Sequence, residues 1–142
     1  MTALLDTNVL IALLDAAHVH HARAHAWMAR NGRLGWASCA ITQNGCVRIM
    51  SQPGYTGHRS VAELGALLRR ALASPHHVPW AQPLSICDSS VFHLDRVLSS
   101  RHLTDVYLLA LAVQAKGRLV TFDQGIPGAA VVGAEPKHLV IL

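Results

Sequence analysis

Residues 103–126, LTDVYLLALAVQAKGRLVTFDQGI, join a helical pattern directly to a strand pattern. Thr104 is a typical helix N-cap, and Gly117 ends the apolar run that follows it. The β-branched stretch from Arg118 to Phe122 then predicts a strand that ends at Asp123. Because this strand does not alternate apolar with polar residues, we expect it to lie in a parallel sheet that is covered on both faces.

The rest of the chain repeats this alternation of strands and helices. Strands are predicted at residues 3–5, 34–38, 77–80 and 138–142, and helices at residues 8–14, 20–31, 60–73 and 88–99. A further helix is expected to begin at the N-cap Thr42, and Gly32 is the expected C′ glycine of the helix before it. The pattern predicts one α/β domain over residues 1–142, a three-layer α/β/α sandwich with a mostly parallel central sheet.

Composition narrows the class of protein. The chain is 51% hydrophobic and 14% charged, with a formal net charge of +4, which favours acidic or phosphate-rich partners. No apolar run reaches the roughly 18 to 20 residues needed to span a bilayer, and the start lacks the basic region of a signal peptide. The three cysteines are too far apart for a zinc or redox motif and are predicted to be reduced core thiols. A cytoplasmic protein that does not engage a membrane is expected.

Three aspartates predict a metal site. Asp6 and Asp123 each follow an apolar strand, and Asp105 lies in the first turn of the helix that leads to the second of these strands. Because sites in open α/β sheets form outside the carboxyl ends of the strands, we expect the three side chains to converge. Converging carboxylates repel each other unless a cation lies between them. Oxygen ligands alone suit Mg²⁺ or Mn²⁺, and in a basic protein such a site favours phosphodiester chemistry, in which the metal activates water.

The residues that carry these patterns resemble the PIN-domain ribonucleases, specifically the VapC toxins of type II toxin–antitoxin systems. The resemblance covers essentially the whole chain and is carried by LLDTNVLIALL at residues 4–14, QNG at residues 43–45 and the block at residues 103–126. It implies a PIN-like fold and a Mg²⁺- or Mn²⁺-dependent endoribonuclease that leaves 5′-phosphate and 3′-hydroxyl ends on its RNA substrate. It also implies a homodimer that is neutralised by a small, cognate VapB-like antitoxin.

The resemblance also assigns the candidate site residue by residue. Catalysis and metal binding are expected of Asp6, Asp105 and Asp123, whose carboxylates would be oriented through hydrogen bonds by Asn8, Thr104 and Thr121. The antitoxin is expected to cover this site with a basic side chain near the aspartates and an apolar helix in a groove.

Gln43 departs from the family's pattern, in which a glutamate completes an acidic quartet, and it is a candidate catalytic position for that reason. A glutamine keeps the size and one acceptor oxygen of glutamate but carries no charge, so the site would hold about −3 rather than −4. Either Gln43 is natural and three aspartates suffice for one metal, or it is a deliberate change that disarms a toxic protein. The alternative function is a catalytically weakened PIN fold that acts mainly as an RNA- or antitoxin-binding module.

Other features favour less specific interpretations. His21 and His25 have the spacing of a zinc pair but no suitable third ligand. A haloacid-dehalogenase-type phosphatase at LLDTN would need a well-placed lysine, and the chain has only Lys116 and Lys137. Several further side chains could contact RNA without being assigned to the site, namely Arg23, Arg30, Arg48, Arg69, Arg70, Arg101, His102, Trp27, Trp36 and Trp80. Of these, Arg69 and Arg70 are expected to belong to an ordinary exposed helix face, and large aromatic residues more often pack in a core or interface.

Overall fold

The computed structural model of the chain describes residues 1–81 and 83–142. The strands are β1 (Ala3–Leu5), β2 (Trp36–Ser38), β3 (His77–Pro79), β4 (Arg118–Thr121) and β5 (Leu139–Ile141). The α-helices are α1 (Thr7–Leu14), α2 (His21–Asn31), α3 (Ala40–Met50), α4 (Val61–Leu72) and α5 (Leu103–Gln114). The strands form one sheet in the order β3-β2-β1-β4-β5, and every neighbouring pair is parallel.

Two buried clusters cover opposite faces of this sheet. Leu4 and Leu119 point into the cluster that contains α5, whereas Leu5 and Val120 point into the cluster that contains residues of α1 to α4. Successive strand residues therefore face opposite layers, and both layers are apolar because both are covered. This arrangement confirms the predicted three-layer α/β/α sandwich with its parallel central sheet.

Helix α5 is the most deeply buried helix of the described chain, with seven residues buried between Asp105 and Ala112. The prediction that Thr104 caps it is wrong, because His102 occupies the N-cap position and the helix begins at Leu103. At its other end, Lys116 turns the chain with φ 53°. A Cβ on Gly117 would lie only 2.5 Å from the carbonyl oxygen of Thr2, so this glycine permits β4 to start beside β1.

Two other local predictions are corrected by the structure. The residues of the predicted 88–99 helix form turns and a short 3₁₀ helix, Leu94–Arg96. The carboxylate of Asp88 accepts hydrogen bonds from the backbone and hydroxyl of Ser90, and this local bonding competes with an α-helix. Gly32 is not a left-handed C′ glycine, because it has φ −59° and begins a 3₁₀ turn, and the left-handed position falls to Gly35 with φ 99°.

Three further predictions can be compared with the described residues. Ser60 and Glu63 form the expected capping box at the start of α4. Cys39 and Cys46 are buried and free, but Cys87 is exposed, so it is not a core thiol. Within the described ranges, no helix combines the length and apolar character needed to cross a membrane.

Candidate active site

The three predicted aspartates meet at one edge of the sheet. Asp6 follows β1 as the N-cap of α1, and Asp123 lies two residues beyond the end of β4. Because β1 and β4 are parallel neighbours, both carboxylates leave the sheet at its carboxyl edge, where the strand order reverses direction. Asp105, the third residue of α5, completes the group, and one oxygen of each carboxylate lies within 4.8 Å of the others.

Burial raises the free-energy cost of ionising two of these carboxylates. Asp6 and Asp105 are buried, whereas Asp123 is exposed. Burial raises the pKa of Asp6 to about 6, against the opposing hydrogen bond from Thr121. Burial and, to a smaller degree, the charge of Asp123 raise the pKa of Asp105. A divalent cation would offset both penalties, and three carboxylate oxygens within 4.8 Å of one another are the oxygen ligands that Mg²⁺ prefers. The donor set therefore fits such an ion.

Neighbouring polar groups hold two of the carboxylates. The Thr121 hydroxyl donates to Asp6 Oδ2 at 2.7 Å, and the backbone N–H of Thr7 donates to Asp6 Oδ1 at 2.6 Å. Asn8 Nδ2 donates to Asp123 Oδ2 at 3.0 Å and contacts the Thr121 hydroxyl at 3.3 Å. These are the contacts expected of residues that orient carboxylates.

Thr104 does not make the contact expected of it. It is exposed on the cavity wall, and no hydrogen bond joins it to an aspartate in the described part of the chain. A different neighbour approaches the third carboxylate, since His102 Nδ1 lies 3.5 Å from Asp105 Oδ2. The spacing of three residues along a helix is a signal in the sequence that could have predicted this contact.

The prediction that Thr42 caps α3 is wrong, and the correction changes the position of Gln43. The helix begins at Ala40 with Cys39 as its N-cap. The Thr42 hydroxyl accepts a hydrogen bond from the Cys39 N–H at 3.0 Å and lies 3.1 Å from the Cys39 carbonyl oxygen, to which it donates. Gln43 is therefore the fourth residue of the helix, and its Nε2 donates to the Ser38 hydroxyl at 2.9 Å.

The bond between Gln43 and Ser38 belongs to a chain of hydrogen bonds in which the amide of Gln43 is the donor. The Ser38 Oγ lies 2.8 Å from His77 Nε2, and the same imidazole hydrogen-bonds the backbone of Leu72. Burial lowers the pKa of His77, which favours the neutral ring. If the neutral ring donates its one proton to the Leu72 carbonyl, its Nε2 is a hydrogen-bond acceptor. The Ser38 hydroxyl then donates its proton to Nε2, so it can only accept a hydrogen bond from residue 43. An ionised glutamate has no proton to donate there.

The aspartates form one wall of a cavity of about 680 Å³. A stripe of α3 that includes Asn44 and Arg48 lines the same cavity, and Gln43 is absent from the described lining residues. The full lining is Asp6, Thr7, Asn8, Ile11, Ala40, Ile41, Asn44, Gly45, Arg48, Ile49, Thr104, Asp105 and Asp123. The structure thus brings together the three aspartates but directs the Gln43 amide toward β2 instead.

Asn44 was not predicted as a site residue, and Arg48 was predicted only as one of several basic residues that could contact RNA. Their spacing of four residues on one helix is a signal that they share a face. That signal could not show which face meets the aspartates, because the answer depends on how α3 packs. Gly45 lies against α1, where a Cβ would be 3.0 Å from the Thr7 Oγ1, and this close approach sets the orientation.

Comparison with known proteins identifies the family. A family model described as PIN domain matches residues 3–131. Ribonuclease VapC44 of Mycobacterium tuberculosis is 54% identical to this chain over 142 residues, which is the full length of both proteins. The chain belongs to the VapC family of PIN-domain proteins.

Other members of the VapC family share the sequence or the fold. Ribonuclease VapC39 of Mycobacterium tuberculosis is 41% identical over 138 residues, covering 94% of this chain and 96% of that protein. The crystal structure of VapC20 from the same organism, described as a Sarcin-Ricin loop cleaving toxin, superposes with a TM-score of 0.62 at 14% identity, covering 94% and 99% of the two chains. The crystal structure of VapBC2 from Rickettsia felis, bound to a DNA fragment from the promoter, superposes with a TM-score of 0.58 at 14% identity. The match covers 100% of this chain and 98% of that chain.

Proposed function

We propose that this VapC-family protein is an endoribonuclease toxin that hydrolyses RNA phosphodiester bonds with Mg²⁺ or Mn²⁺ held by Asp6, Asp105 and Asp123. The observation that carries the proposal is the convergence of the three carboxylates, two of them buried, on one side of an open cavity. Relatives that match this chain over its full length are named ribonucleases, which supports the same reaction class. The net charge of +4 suits a polyanionic substrate.

The chain's own residues have separate tasks in this proposal. A divalent cation in such a site lowers the pKa of a water molecule and stabilises negative charge that develops on phosphate. Thr121 and Asn8 keep Asp6 and Asp123 in place through the hydrogen bonds described above. Because the pKa of Asp6 is raised only to about 6, this carboxylate is mostly ionised near pH 7.5 and available as a ligand.

Gln43 takes no catalytic role in this proposal. Its amide is engaged by Ser38, and three aspartates form the ligand set. The second candidate function is a weakened nuclease that mainly binds RNA or its antitoxin. The number of carboxylates supports it, because a site with three carboxylates attracts a second cation less strongly than a site with four. Measured turnover with either metal separates the two functions, since the binding module would bind RNA without cutting it.

The partners follow from the same family. The VapBC2 complex of Rickettsia felis has the same fold, which supports a cognate VapB-like antitoxin for this chain. We propose that the antitoxin covers the cavity and brings a basic side chain to the aspartates, where it would replace the cation's charge. We also propose a homodimer of single domains that each span residues 1–142 and act in the cytoplasm.

Cleavage of total RNA by matched variants tests the proposed function. Purified wild-type protein, Asp6→Asn and Asp95→Asn would be incubated with RNA and Mg²⁺ or Mn²⁺, with and without EDTA. Asp95 is an exposed aspartate outside the cavity, so its variant controls for the loss of one charge. We expect the wild type and Asp95→Asn to cut, Asp6→Asn to lose cleavage while remaining folded, and EDTA to stop all cleavage. Full activity in Asp6→Asn or in EDTA would refute the metal site.

A further inference from the structure

Arg48 is a basic side chain on the wall of an acidic cavity. It is exposed and lines the same space as the three aspartates, together with Asn44 one helical turn earlier. In the described part of the chain, the ion pairs are His102 with Asp105 and Lys137 with Glu135, so Arg48 has no carboxylate partner there. A cation that lines an acidic cavity without pairing to it is available for an anion that enters the cavity.

The position of Arg48 is built into the fold. Ala40, Asn44 and Arg48 follow one another at four-residue intervals and form a single stripe along α3. The hydrogen bonds between Thr42 and Cys39 fix the start of the helix. Gly45 then lets the helix approach Thr7, the residue that follows Asp6. The stripe thereby lines the same cavity as the aspartates.

The net charge of the cavity would favour phosphate binding only if a basic residue such as Arg48 contributes to it. Three ionised aspartates and one divalent cation leave a net charge of about −1, which would repel the single negative charge of a phosphodiester. Arg48 brings that balance to about zero. Its planar guanidinium donates two parallel hydrogen bonds to paired oxygens such as those of a phosphate, and Asn44 adds an amide donor on the same stripe.

We propose that Arg48, assisted by Asn44, binds the phosphate backbone of RNA and positions it against the aspartates. This inference rests on the proposed function and names the residues that hold its substrate. Arg48 is a positioning residue in this account, because it contacts phosphate while the aspartates carry the chemistry. An ordinary exposed arginine on a helix surface would affect neither RNA affinity nor KM.

Binding of a fluorescent single-stranded RNA oligonucleotide tests the contact without cleavage. Wild type, Arg48→Ala, Arg48→Lys, Asn44→Ala and Arg70→Ala would be compared by anisotropy, with Ca²⁺ replacing Mg²⁺ to slow turnover. We expect Arg48→Ala to weaken binding about tenfold or more and to lower the slope of log affinity against log salt by about 0.7.

The other variants separate charge from hydrogen-bond geometry. Arg48→Lys should keep the salt slope but recover only part of the affinity, because lysine lacks the planar pair of donors of a guanidinium. Asn44→Ala should weaken binding less than Arg48→Ala, without changing the slope. Arg70 on α4 lies outside the cavity and serves as the matched control.

Cleavage kinetics in Mg²⁺ separate positioning from a structural role. We expect Arg48→Ala to raise KM while kcat changes less, since the contact is present before and during the reaction. Its melting temperature should match that of the wild type, because the side chain is exposed.

The outcomes are distinct for the two proposals. If the wild type binds and cuts RNA and Arg48→Ala equals it in affinity, salt slope and KM, the inference about Arg48 is overturned while the proposed function stands. An equal loss in Arg70→Ala would also overturn it, since general basicity would then explain binding. If the wild type neither binds nor cuts RNA, the proposed function fails and the inference fails with it.

Discussion

The substitution Gln43→Glu changes a donor into an acceptor within the chain of hydrogen bonds from residue 43 through Ser38 to His77. The wild-type amide donates to Ser38, which leaves the Ser38 hydroxyl proton for His77 Nε2. An ionised glutamate has to receive the hydroxyl proton instead. The Ser38 hydroxyl can then form a hydrogen bond with His77 only by accepting a proton from its Nε2. If the other ring nitrogen still donates to Leu72, both nitrogens carry a proton and the imidazole is positively charged. We therefore expect the substitution to raise the pKa of His77.

The size of this change follows from the distances. The carboxylate introduced at position 43 and the ring nitrogen of His77 would be separated by one hydroxyl, on the order of 5.5 Å. With an effective dielectric constant of about 20 to 40 for these partly exposed groups, the attraction is about 1.5 to 3 kcal/mol. Since one pKa unit corresponds to about 1.4 kcal/mol, the pKa of His77 should rise by about one to two units. This opposes the effect of burial, which lowers the wild-type pKa.

A titration of the histidine ring signals by NMR measures this shift. The His77 resonance would be assigned from its loss in His77→Asn, and Gln52→Glu provides an exposed control with the same charge change just beyond α3. Relative to the wild type, a raised folded-state pKa of His77 stabilises Gln43→Glu at a pH below the wild-type value, and this gain is lost as the pH rises through the variant's own value. The stability of Gln43→Glu relative to the wild type should therefore be greater at pH 5.5 than at pH 9. An unchanged His77 pKa in Gln43→Glu would show that the network does not require a donor at residue 43.

Three more measurements test other parts of the structure. Asn44 lines the cavity, whereas the side chain of Gln43 is bonded to Ser38. Asn44→Asp should therefore tighten Mn²⁺ binding, measured by calorimetry, more than Gln43→Glu does. The reverse order of the two affinities would place residue 43 at the metal. The folded-state pKa of Asp6, about 6, exceeds its ordinary value of 3.8, so the metal-free protein should lose up to about 3 kcal/mol of unfolding free energy as the pH rises from 4 to 7. Mn²⁺ should then raise the melting temperature strongly at pH 7.5 and hardly at pH 4.5, whereas equal shifts at both values would contradict a carboxylate site. In Gly117→Ala the added Cβ would lie 2.5 Å from the Thr2 carbonyl oxygen, so the free energy of unfolding, measured by denaturant melting, should fall by about 2 kcal/mol or more. Gly65 in α4 has open space around it, so Gly65→Ala should leave the free energy of unfolding unchanged or raise it by up to about 1 kcal/mol.

Local signals in the sequence were sufficient for much of the fold. The β1 run that ends at Asp6, the apolar α5 and the β4 strand were predicted correctly in type and nearly in extent. Each is long or apolar enough for its pattern to identify it, and a parallel sheet brings the carboxyl ends of β1 and β4 together whatever the details of the loops. The convergence of the aspartates therefore followed from the order of the elements.

Other local signals were overruled by interactions that the sequence does not display. Asp88 and Ser90 satisfy each other in a turn where a helix was expected. Thr104 has the chemistry of a cap, yet the chain enters α5 through His102. Cap preferences amount to only about 1 kcal/mol, which is less than the packing energy of a buried helix such as α5.

The parallel α/β fold, with three acidic residues at one edge of its sheet, could be predicted from the order of strands and helices along the chain. The face of α3 that shares a cavity with those residues depended instead on how this helix packs in the folded protein. Each step along a helix rotates the side chain by about 100°, so residues 43 and 44 point in clearly different directions. The contact of Gly45 with Thr7 turns Asn44 and Arg48 into the cavity and leaves Gln43 to Ser38. That rotation depends on packing between helices that are distant in sequence, which is why a motif alone could not reveal it.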